Sequence, residues 1–118
     1  MPDRPPIFAV AVLPPGGRGT FATFENEQAA VDYADRSLPS HPNSRAWIML
    51  LENGRAMRLG VRGAGDWTTD RIPKFYVAPL AGGPMRPFHT YEDARQEASL
   101  GMVILSLQDD GGIRVDEI

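Results

Sequence analysis

Five side chains capable of chemistry gather around two glycine- and proline-rich stretches. Arg18 sits within Pro14-Pro15-Gly16-Gly17-Arg18-Gly19-Thr20 and Arg86 within Ala81-Gly82-Gly83-Pro84-Met85-Arg86-Pro87, with His89, Tyr91 and Glu92 just beyond the second. A guanidinium beside glycines, ahead of a helix start, can hold an anion, because free backbone N–H groups and the positive helix end converge there. The first stretch lacks the Gly-Lys-Ser/Thr ending of a phosphate loop, which argues against a nucleoside triphosphatase. Surface turns account for the same residues without any ligand: glycines supply positive φ and prolines stiffen the connection. His89 near Glu92 and Asp93 has the composition of a general acid–base pair. Carboxylates in the first turn of a helix also have a plainer role, as partners of its dipole. No catalytic residue is assigned.

The residue inventory narrows the chemistry further. There is no cysteine, so disulfides, thiolate metal sites and cysteine nucleophiles are excluded, and the two histidines, His41 and His89, are few for a histidine-rich metal centre. No metal and no cofactor is expected, and no serine sits in a nucleophile-elbow pattern.

A second group of residues is basic. Arg45, Arg55, Arg58 and Arg62, followed by Arg71 and Lys74, lie near Trp47 and Trp67 in the chain. Arginines interleaved with aromatics can track a nucleic-acid strand by charge and stacking. Residues 45–74 hold six basic and three acidic side chains, whereas residues 75–118 hold three basic and seven acidic ones, and the net charge is −3. That balance opposes attraction of the whole surface to phosphate. Trp47 opens an apolar run and reads as core.

The elements that must position these residues follow from an internal repeat. Sliding the chain by 67 residues aligns 8–26 with 75–93 without a gap, and eight of the nineteen positions are identical. The matches include Phe8 with Phe75, Val10 with Val77, Phe21 with Phe88, Thr23 with Thr90 and Glu25 with Glu92; His89 falls opposite Ala22. Ile7 to Leu13 and Phe75 to Leu80 are apolar runs bounded by proline and glycine, and read as strands. Thr23 and Thr90 stand where a hydroxyl would cap a helix, with Glu25 and Glu92 in the first turn. The first helix is expected to stop at Pro39 and the second at Gly101. Hairpins follow each helix: Trp47 to Leu51 and Ala56 to Val61 around Asn53-Gly54, then Met102 to Leu107 and Ile113 to Ile118 around Asp109-Asp110-Gly111-Gly112. Met57, Leu59 and Val61 alternate with Arg58, Gly60 and Arg62, so that one face would be apolar and both arginines would emerge on the other.

The expectation is an α+β fold built from two tandem β-α-β-β repeats with pseudo-twofold symmetry. Its sheet should be mainly antiparallel, with two short helices on one face. The 118 residues make a single domain, with repeat 1 at about 7–61, a linker loop at about 62–73 and repeat 2 at about 74–118. No run approaches the roughly 18 apolar residues of a membrane span, and Met1 to Pro6 carries charges and three prolines where a leader would be basic and then apolar. A cytoplasmic location is expected. Eleven arginines against one lysine point to GC-rich codons and a bacterial source. Strands around Met49, Leu51 and Met102 to Leu105 are apolar on both faces, which calls for cover on both sides and leads to the expectation of a homodimer.

These observations order three functional readings. The first is a small non-enzymatic binding or regulatory module that acts through protein–protein contacts on its sheet surface or edges. The second is a small-molecule-binding protein or enzyme with a pocket between the repeats, near Arg18, Arg86, His89, Tyr91 and Glu92. The third is a weak nucleic-acid binder that uses the basic central segment.

Overall fold

β-Branched and aromatic residues set the first strand, β1 (Ile7–Leu13), which pairs antiparallel on one flank with β2 (Thr20–Phe24) and on the other with β3 (Arg45–Glu52). A computed structural model describes residues 6–13, 19–40, 44–52, 55–63, 74–108 and 113–118. Helix α1 (Glu27–Ser37) runs on into a 3₁₀ turn at Leu38–Ser40, where Pro39 has no N–H with which to continue an α-helix. Strand β4 (Arg55–Arg62) completes the first half, and β5 (Phe75–Pro79) opens the second. A two-residue β6 (Gly83–Pro84), β7 (Arg86–Phe88), α2 (Tyr91–Glu97), β8 (Met102–Leu107) and β9 (Ile113–Glu117) follow.

The fold is α+β, with the described strands arranged as two antiparallel sheets in the orders β4-β3-β1-β2-β6 and β7-β5-β8-β9. Two sheets replace the single one expected, and the helices do not share a face. The apolar pattern explains why. Ala9, Ala11, Leu13, Trp47, Met49 and Leu51 on one face of the first sheet form a single buried cluster with Tyr76, Ala78, Val103, Leu105 and Val115 of the second. Successive strand residues point to opposite faces. Val10, Val12, Ala46 and Ile48 therefore turn outward and are covered by Ala30 and Ala34 of α1, while Val77 and Ile104 lie under Ala94 of α2. The layers run helix, sheet, sheet, helix. Strands that are apolar on both faces obtain both covers within one chain, and the cover assigned above to a second subunit comes from the second sheet.

Residues 83–88 cross between the sheets. Gly83 and Pro84 pair with Phe21 and Thr20 in the first sheet, Arg86 to Phe88 pair with β5 in the second, and Met85 between them is fully buried, its N–H donating to the Gly19 carbonyl at 2.9 Å. Gly19 is required by this crossing, because a Cβ there would collide with the Val12 carbonyl oxygen, Met85 Cε and Leu13 Cδ2.

The strands β2 and β7 shift the alignment of the halves. Phe8 stands opposite Phe24 and Phe75 opposite Phe88, so positions beyond the turn correspond at 64 residues, although β1 and β5 correspond at 67. Thr23 accordingly lies in β2 and caps nothing; the cap of α1 is Asn26, whose Oδ1 accepts from the Ala29 N–H at 2.8 Å. Thr90 caps α2, accepting from the Asp93 N–H at 3.1 Å. Helix α2 ends at Glu97, since Ala98 is already extended, and Gly101 takes positive φ beyond it. Among the described residues no helix is long and apolar enough to cross a membrane.

Candidate functional site

Strand β4 departs from the regular alternation of its sequence. Its register against β3 pairs Arg62 with Ala46, Val61 with Trp47 and Gly60 with Ile48, then skips to pair Arg58 with Met49 and Met57 with Leu50. Leu59 is the extra residue of a β-bulge, and a bulge reverses which side chains share a face. Arg58 therefore lies on the face of Met49, toward the second sheet, and Arg62 on the helix side. There its Nε meets Asp35 Oδ1 of α1 at 3.6 Å. The expected apolar face of Met57, Leu59 and Val61 does not form. Met57 is 61% exposed and Leu59 38%, two of the four large hydrophobic residues that stand out from the described surface. The other two, Tyr91 and Leu100, belong to the second half.

Strand β4 also ends its sheet: β3 bonds one flank, and among the described residues no strand bonds the other. An uncovered strand edge with apolar side chains is a template for pairing with another chain. Such an edge can hold an extended segment by backbone hydrogen bonds and select it by side chain.

The remaining basic residues do not make one surface with Arg58. Arg45 is partly buried at the start of β3, its guanidinium 5.9 Å from the ring centre of Trp47, which is itself buried. Arg55 begins β4, and its side chain lies outside the described set, as do Arg71 and Trp67. With Trp47 in the core, it offers no stacking platform to a nucleic acid.

The residues gathered for a pocket lie elsewhere. Arg86 is on the outer face of the second sheet, with its Nη1 3.5 Å from Glu97 Oε2 and its guanidinium 5.5 Å from the Phe88 ring. Tyr91 opens α2 with its ring steeply tilted to that of Phe75, the ring centres 6.0 Å apart, and His89 and Glu92 are exposed beside the Thr90 cap. Arg18 and His41 lie outside the described residues. The space between the halves is occupied by Trp47, Tyr76, Phe21, Met49, Met85 and Leu105, all fully buried, so Arg86, His89, Tyr91 and Glu92 do not line it. Among the described residues no three histidine or acidic side chains cluster as metal ligands.

The chain matches no family model, no curated protein and no solved structure.

One polar group within the core stands out. Tyr76 is fully buried, and its hydroxyl has no hydrogen-bond partner among the described residues. Burial alone pushes the phenol up to about 12, since the charged form loses its water.

The exposure of Met57 and Leu59 is hidden in the sequence, where the alternation of β4 looks unbroken. Gly60 is the available warning, as an isolated glycine inside a strand often marks a bulge.

Proposed function

We propose that this protein is a small non-enzymatic binding module that makes protein–protein contacts through the edge of its first sheet. The inner sheet faces cover each other and the helices cover the outer faces over β1, β3, β5 and β8, which leaves the margin at β4 for contact. The observation that carries the reading is the exposure of Met57 and Leu59 on a strand whose second flank is bonded by no strand among the described residues. We further propose that the scaffold arose by doubling of one strand-strand-helix-strand-strand unit. The matching strand orders β4-β3-β1-β2 and β9-β8-β5-β7 support this.

The test compares the wild type with Met57→Lys, a substitution at a solvent-exposed position whose fold is checked by circular dichroism. Both are recovered from the source cells and their associated proteins compared by mass spectrometry. A partner held by the wild type and lost from the variant is the expected result. Identical associated proteins for the two would refute the reading.

A further inference from the structure

The charge of β4 restricts what can lie beside it. From Arg55 to Arg62 the strand carries three arginines and no acidic residue. Arg62 is engaged with Asp35, whereas Arg58 is exposed and makes no ion pair among the described residues. A second copy pairing antiparallel through the regular stretch 55–58 of the same strand would set Arg55 against the other copy's Arg58. Like charges directly opposed across strands are destabilising. Such self-pairing is therefore disfavoured, and the strand calls for carboxylates.

The register also states where those carboxylates should be. Met57 faces the side of Leu50 and Arg58 the side of Met49, so neighbouring positions on the edge offer an apolar side chain on one face and a cation on the other. A strand laid alongside alternates in the same way. The bulge at Leu59 breaks the edge after Arg58, which limits regular pairing to the stretch from Arg55 to Arg58. We propose that β4 receives a short extended segment of another protein in which acidic and apolar residues alternate, the apolar one beside Met57 and the acidic one beside Arg58.

This inference rests on β4 being the contact edge, and its test separates the two claims. The probe is a fluorescein-labelled peptide of alternating valine and glutamate, with a valine and lysine peptide as control, followed by fluorescence anisotropy and by backbone-amide NMR of the full chain. The acidic peptide should bind, weaken as salt is raised, and move amides along residues 55–59. Arg58→Glu should weaken it roughly tenfold, a loss typical of one charge-assisted contact. Equal binding of the lysine peptide, or no effect of Arg58→Glu, overturns the proposal. So does the absence of acidic-peptide binding at about 1 mM, a concentration that captures even weak recognition. A dimer in sedimentation equilibrium that Met57→Lys dissociates would assign the edge to a second copy and overturn it too. A cellular partner that depends on Met57 while the acidic peptide fails to bind leaves the contact edge standing and removes only the acidic class.

Discussion

Replacing Tyr76 by phenylalanine isolates the one buried hydroxyl of the inter-sheet core that no described group satisfies. Such a hydroxyl forfeits its water without recompense, a cost of about 1–3 kcal/mol. Phenylalanine keeps the aromatic ring and its contacts, so the substitution removes the hydroxyl and little packing. Tyr76→Phe is therefore expected to stabilise the protein by about 1–2 kcal/mol, or about 4–8 °C in Tm for a domain of this size. Thermal melts by circular dichroism and urea titration measure this directly. Alkaline pH provides an independent check. With the folded phenol pushed up to about 12, the unfolded chain ionises first, near pH 10, while the folded chain keeps its proton. Stability linked to Tyr76 is complete below about pH 10 and is lost as pH rises toward about 12, with a slope of up to about 1.4 kcal/mol per pH unit. The variant should lack this component, and an absorbance titration of the wild type should show a tyrosine ionisation near pH 12 that is missing from the variant. A variant that melts several degrees lower, with an alkaline slope equal to the wild type's, would refute the reasoning by showing that the hydroxyl is satisfied.

Other substitutions test the remaining elements. Asn26→Ala should cost about 1 kcal/mol through loss of the α1 cap, while Thr23→Ala, which gives up only a 3.4 Å contact to the Ala81 carbonyl, should cost less than about 0.5 kcal/mol; equal losses in urea titrations would reject the cap assignment. Gly19→Ala should destabilise by about 3 kcal/mol, because the new methyl meets the Val12 backbone oxygen and cannot be accommodated by side-chain movement alone. A near-normal melt for that variant would mean that the crossing segment is looser than described. Asp35→Asn should change stability by no more than about 0.5 kcal/mol in the same urea titrations, since both partners of its pair with Arg62 are well exposed.

The sequence was most legible where the pattern was local. β1, β3, β5 and β8 follow from apolar runs between turn residues, and the Thr90 cap of α2 could be read directly. β2 is hard to read from sequence because Thr20–Phe24 is short and runs into a Thr-x-Glu triplet that imitates a helix start three residues early. The partition into two sheets was not legible, because an apolar run facing two layers reads the same whether the second layer is a helix, another sheet or another subunit. Only long-range pairing distinguishes these. For the contact edge, the basic character of residues 55–62 was visible in the sequence, but the faces of Arg58 and Arg62 were not, since one inserted residue at Leu59 reverses the alternation.

The crossing of residues 83–88 has a consequence for dissection. Either half alone would leave a broad oily surface bare, with Trp47, Met49 and Leu51 on one fragment or Tyr76, Leu105 and Val115 on the other. Fragments severed between β4 and β5 should aggregate when expressed singly and recombine when expressed together. The molecule is thereby suited to use as a split reporter, with Met85 as the peg that seats one piece in the other.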